Sequence, residues 1–137
     1  MNKIAMLPAI ITLFFLASCT NDTSSEKPME KTDAIQLKGM TNVTAAIGDE
    51  FVYSGVVHGS VGFTMSYQFD GDPAIEMTGE TLEYFHPEKM KAGMKGADEA
   101  TLTWKFKAVA AGKVTVHFIK EYRFKEESRE TIKIIVK

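Results

Sequence analysis

Few side chains in this sequence are suited to covalent or metal chemistry. Cys19 is the only cysteine among 137 residues. A single thiol forms no internal disulfide, no thiolate zinc cluster and no CxxC redox pair. The histidines are His58, His86 and His117. No two of them have the spacing that presents a pair of imidazoles to one metal from one strand or helix. His117 falls opposite the apolar face of its run and is expected to be solvated. His86 precedes Pro87 at the start of a loop, and His58 lies in a different loop. No serine sits in a nucleophile-elbow pattern, and no phosphate-cradling or dinucleotide-binding glycine motif occurs. The expectation is a protein that is not an enzyme and holds no metal or cofactor. Lys and Arg total 16 against 18 Asp and Glu, a net charge of −2. That balance offers no basic face for nucleic acid.

The position of Cys19 gives it a different use. Residues 1–19 read MNKIAMLPAIITLFFLASC, with Lys3 as the only charge. The apolar run from Ile4 to Leu16 is shorter than the roughly 20 residues that a membrane-spanning helix needs. A positive start, a short apolar core and small residues before a cut site describe a secretory signal peptide. Leu16-Ala17-Ser18-Cys19 resembles the bacterial lipobox, in which cleavage leaves the cysteine first and its thiol lipidated. The alternative is an ordinary cysteine in an uncleaved anchor. Each buried CH₂ of an acyl chain contributes about 0.8 kcal/mol, so a multiply acylated Cys19 would hold the protein on a membrane. Residues 1–18 are thus read as a lipoprotein signal peptide. Residues 19–34 are read as the lipidated cysteine and a polar tether unable to bury enough surface to fold. The expected location is a bacterial membrane, facing the periplasm or the cell surface.

Residues 35–137 are read as one all-β domain, because alternation with period two dominates. Val43, Ala45 and Ile47 alternate with small or polar residues before a Gly48-Asp49 turn. Phe51, Tyr53 and Gly55 share one face of the next run, and Phe63, Met65, Tyr67 and Phe69 one face of another. Asp70-Gly71-Asp72-Pro73 ends that strand. Shorter runs at Ala74–Met77 and Glu80–Phe85 add strands. Leu102, Trp104, Phe106 and Ala108 follow, then Val114, Val116 and Phe118, and last Ile132, Ile134 and Val136. The stretch Pro87–Ala100 carries Gly93 and Gly96 and reads as a long loop with room for one helical turn. Lys125–Glu130 reads as a solvated charged turn. The expected architecture is an immunoglobulin-like β-sandwich of seven or eight strands, with no disulfide between its sheets. Trp104, Phe106, Phe118, Phe63 and Tyr67 are the expected core aromatics.

From Thr41 to Val136 the order of turns and strands resembles the chagasin-like inhibitors of papain-family cysteine proteases. That family opens with an alternating strand, a Gly followed by Asp or Glu, and another strand. Val43–Ile47, Gly48-Asp49 and Phe51–Ser54 follow this order. The family's first inhibitory loop reads Asn-Pro-Thr-Thr-Gly followed by Tyr or Phe. Here the segment is His58-Gly59-Ser60-Val61-Gly62-Phe63, which keeps the Gly-aromatic end and lacks the Asn-Pro opening. The second loop, Gly-x-Gly-Gly, is resembled by Gly93-Met94-Lys95-Gly96, with several extra residues before Trp104. The third loop carries Arg-Pro-Trp, where this sequence has Tyr122-Arg123-Phe124 without the proline or tryptophan.

The resemblance implies an eight-stranded immunoglobulin-like fold that presents these three loops at one end. It implies reversible, non-covalent inhibition by filling the cleft of a papain-family cysteine protease. Small residues at Gly59 and Ser60 suit a narrow cleft, and Tyr122 and Phe124 suit buried contact. Each has a plainer reading as well. Gly62 can serve only a turn, Phe63 can be the first core residue of its strand, and Phe124 can cap the sandwich. The competing function is an immunoglobulin-like module of a lipoprotein that binds a protein or a glycan.

Overall fold

The computed structural model describes residues 33–137. Cys19, the expected signal peptide and all but the last two residues of the expected tether lie outside the described residues.

The strands are β1 (Ile35–Gln36), β2 (Asn42–Ala45), β3 (Glu50–His58), β4 (Phe63–Gly71), β5 (Ile75–Tyr84), β6 (Glu99–Ala108), β7 (Gly112–Tyr122) and β8 (Lys125–Val136). One helical turn, α1 (Pro87–Lys91), interrupts them. Hydrogen bonding runs in the order β2-β8-β7-β4-β3-β6-β5, with β1 added parallel to β3. β3 and β4 meet at a single register pair, His58 with Phe63. Past that pair they part into two layers, β1-β3-β6-β5 and β4-β7-β8-β2. The inner faces of those layers form the core. Tyr53 of β3 stacks on Phe118 of β7, with ring centroids 3.6 Å apart and planes 4° from parallel. Phe106 of β6 meets Tyr67 of β4 edge-on at 5.2 Å. This is the all-β sandwich expected from the alternation.

Burial follows the period of two. Phe51, Phe106, Phe118, Val116, Ile132 and Ile134 are fully buried, and each lies on the inner face of its strand. Trp104 is buried too, and its indole Nε1 donates to Glu80 Oε2 at 2.6 Å. Burying indole without such a partner would cost free energy.

Several local expectations are corrected. Ile47 is 57% exposed, because β2 ends at Ala45 and Ile47 sits on the following turn. Asp49 closes that turn by accepting from Ala46 N at 2.9 Å, and Gly48 supplies its φ of 100°. An apolar residue at the second position of a tight turn faces water whatever the alternation before it. The runs Ala74–Met77 and Glu80–Phe85 belong to one strand, β5, bridged by a bulge between Met77 and Gly79. Phe63 is only half-buried, at the mouth of β4, and Tyr67 packs on the edge of the core. His117 is half-buried, with Nδ1 2.9 Å from Thr131 Oγ1. The charged run Lys125–Glu130 forms the start of β8 rather than a turn. Its side chains solvate one end of a strand, and the chain reverses earlier, at Arg123-Phe124.

Candidate functional site

The long β3–β6, β4–β7 and β7–β8 ladders bring three connections to one end of the sandwich. The first loop spans Gly59–Gly62 between β3 and β4. It closes tightly: Val61 N and Gly62 N both donate to His58 O, at 3.1 and 3.0 Å. Gly62 has φ 102°, a conformation that favours glycine. A Cβ added there would lie 2.9 Å from Arg123 Cγ. Gly62 O accepts from Arg123 N at 2.8 Å. Gly62 therefore serves the turn and also admits the third loop against the first.

The third loop is the two-residue turn Arg123-Phe124, framed by the Tyr122–Lys125 pair. Both residues have positive φ, 51° and 66°. This is the backbone of a type I′ hairpin, which normally takes Asn-Gly. Left-handed backbone costs an ordinary L-residue roughly 1–2 kcal/mol. The β7–β8 ladder enforces it here, and the Phe124 side chain is left 97% exposed. Tyr122 is not at the tip. Its ring packs on Phe63 at 4.7 Å, Lys120 Nζ lies 4.8 Å over Phe63, and Arg123 lies 5.1 Å over Tyr122. Phe63 and Tyr122 thus form the floor under the first and third loops.

The second loop runs from Phe85 to Asp98. Pro87 opens α1, and Ala92 and Gly93 end it, with Gly93 at φ 70°. Met94 is 56% exposed, and Lys95 and Gly93 are exposed as well. The loop returns to the sandwich through Gly96 and Asp98. His58 Nε2 lies 3.2 Å from Gly96 O and 3.4 Å from Asp98 Oδ1, so this nitrogen carries the hydrogen and faces two acceptors. Asp98 also accepts from Ser60 N at 2.6 Å and from Ser60 Oγ at 2.5 Å. Ser60's hydroxyl and amide, in that order, hold the Asp98 carboxyl below its ordinary value of 3.8. Serine, histidine and aspartate meet here in the wrong order for nucleophilic catalysis. The carboxylate takes the serine proton's hydrogen bond, and no imidazole is placed to remove that proton.

With these loops placed, known proteins can be set beside the chain. No family model matches the sequence, and no curated protein matches it. Solved structures do match. One is the crystal structure of the cysteine protease inhibitor EhICP2 from Entamoeba histolytica. It aligns with a TM-score of 0.57 over 76% of this chain and 94% of that one, at 13% identity. The chain shares the fold of that protein. The solution structure of amebosin aligns over 76% of this chain and 96% of its own, with a TM-score of 0.51 and 13% identity. The immunoglobulin-like sandwich implied by the order of turns is consistent with the all-β fold that the chain shares with these structures.

In this fold most of the residues singled out from sequence fall into two groups. Val61, Met94, Lys95 and Phe124 are exposed at the loop end, Met94 and Lys95 on the second loop and Phe124 at the third loop's tip. His58, Ser60, Gly62, Phe63, Tyr122 and Arg123 join one loop to another or to the sandwich. Gly59 has a steric role, since a Cβ there would lie 3.2 Å from Asp98 Oδ2. Sequence reasoning missed Asp98, whose partner Ser60 lies 38 residues away. Its only local signal was an acid two residues after Gly96. Beneath the first and second loops, a cavity of about 290 Å³ opens between the β4 and β5 edges. Phe63, Met65, Leu82, Tyr84 and Leu102 line it, with Asp98 at its rim. Among the described residues no group of three or more His, Cys, Asp or Glu could hold a metal ion.

Proposed function

We propose that this protein is a reversible, non-covalent inhibitor of papain-family cysteine proteases that fills the active-site cleft with its three-loop end. One observation carries the reading: hydrogen bonds join the three loops, and Phe124 stands almost wholly exposed on their strained tip. Strain of this kind persists where the fold over-determines it, and it concentrates at functional positions. Phe124 supplies the aromatic anchor that dominates interface energies. The sandwich and its loop-to-loop bonds limit the entropy lost on binding. The fold shared with EhICP2, itself a cysteine protease inhibitor, supports the same reading. Lipidated Cys19 would hold the inhibitor on a bacterial membrane, in the periplasm or at the cell surface, with residues 19–34 as a tether.

The test is an inhibition assay with the purified mature protein against papain and a panel of related enzymes. Dose-dependent inhibition that reverses on dilution, with the inhibitor recovered uncut, supports the proposal. Full activity of every enzyme at micromolar inhibitor contradicts it.

A second reading is favoured by the flank between the β4 and β5 edges. Leu82 and Met77 of β5 pair with the inward-facing Leu102 and Phe106 of β6, yet they are 45% and 43% exposed. An immunoglobulin-like binding module would use such a flank for a protein or glycan. Substitutions at the loop tips would then leave binding unchanged.

A further inference from the structure

The inhibitor reading treats the exposed tips as the contact surface, but it leaves open what fixes their relative positions. The second loop is long, and its two glycines, Gly93 and Gly96, are exposed with open space around them. It is held to the first loop by a compact set of bonds. Ser60 donates to Asp98 through both its amide and its hydroxyl, and His58 Nε2–H is shared between Gly96 O and Asp98 Oδ1. Ser60 stands next to Val61 at the tip of the first loop. Hydrogen bonds to a carboxylate are about twice as strong as neutral ones.

We propose that Asp98 is the positioning residue of the inhibitor: it clamps the first loop to the second and sets how far Val61 projects. Asp98 need not touch the protease in this role. The inference rests on the inhibitor reading for its effect on potency, although the clamp itself can be measured without any protease. The clamp also fixes a pH limit. The charged and titratable groups around Asp98 are His58 from β3, Glu99 next to it in β6 and opposite His58, and Tyr84 of β5 across the cavity. Ser60's bonds hold the carboxyl ionised below its ordinary value, with a smaller contribution from His58. A lowered folded-state value means that the clamp's contribution is complete above about 3.8 and is lost only as pH falls through that lowered value. The loops therefore keep their arrangement through mild acid.

Three variants of the purified mature protein test this. D98A removes every acceptor. It is expected to weaken papain inhibition about tenfold or more, the equivalent of one or two charge-assisted hydrogen bonds. D98N keeps one acceptor for Ser60 N and offers an N–H to Ser60 Oγ, so its loss should stay within about threefold. S60A removes only the hydroxyl bond. It guards against D98A failing to fold, and it should fall between the other two. The independent readout is the Ser60 amide proton resonance in a pH titration. In the native protein it should move in one step below pH 3.8, and in D98N that step should be absent. D98A or S60A inhibiting as well as the native protein would overturn the role in potency. A native Ser60 amide that shows no acid step would overturn the clamp. If the native protein inhibits nothing, the inhibitor reading fails while the amide titration still decides the clamp.

Discussion

The second and third loops solve the same problem by opposite means. The third is as short as a hairpin allows, two residues held by the ladder of β7 and β8 on either side. Its tip gets its conformation from the strands and bears the strain of two non-glycine residues at positive φ. The second runs from Phe85 to Asp98, with relaxed glycines at 93 and 96 and open space around both. It gets its conformation from a helical turn and from the Asp98 bonds to Ser60. The first loop lies between them and is bonded to each, to the third through Gly62 and to the second through Ser60 and His58. Rigidity in the short loop is inherited from secondary structure, whereas in the long loop it depends on side chains. The short loop should therefore be robust to surface changes and sensitive at its apolar tip, and the long loop should depend on one carboxylate.

The largest expected effect is at the exposed aromatic. Phe124→Ala should weaken protease binding by about 2–4 kcal/mol, as loss of an aromatic hot spot does. Thermal stability should hardly change, because the ring contacts almost nothing in the free protein. Inhibition constants and melting curves of the same preparation check both halves. Gly62→Ala attacks the joint between the first and third loops. It combines an unfavourable φ with a Cβ 2.9 Å from Arg123, and should cost about 1–3 kcal/mol of stability in denaturant unfolding. Replacing Arg123-Phe124 with Asn-Gly relieves the turn. Stability should rise by about 1–2 kcal/mol while inhibition falls, which separates strain kept for function from strain without a use. Lys95→Ala, on the exposed part of the second loop, should change stability by no more than about 0.5 kcal/mol. A larger change there would mean that the second loop is braced by more than Asp98.

Much of the sandwich was legible because each inner face repeats with period two, as in Leu102-Trp104-Phe106-Ala108. The same signal misled at Ile47, where the alternation continues past the last hydrogen-bonded pair onto a turn. It also misled at Lys125–Glu130, since a solvated strand and a solvated turn have the same composition. The turn itself was hidden because Arg-Phe carries none of the residues that favour positive φ. Loop order was readable from Gly62-Phe63 and from the glycines at 93 and 96. The bracing was not, because it depends on pairs far apart in sequence, such as Ser60 with Asp98 and Gly62 with Arg123. In sequence Tyr122 reads as a contact residue and Phe63 both as a loop residue and as the first core residue of its strand; the structure packs their rings against each other under the tips.

The most direct test of cleft occlusion is the reactivity of the target's own nucleophile. A papain-family protease should be mixed with an excess of this protein and then exposed to a small thiol-alkylating reagent, with the rate followed by mass. If the three-loop end fills the cleft, alkylation of the active-site cysteine slows in proportion to the fraction bound, and Phe124→Ala restores the free rate. Alkylation at the free rate in a demonstrably formed complex would place the contact elsewhere and contradict the account.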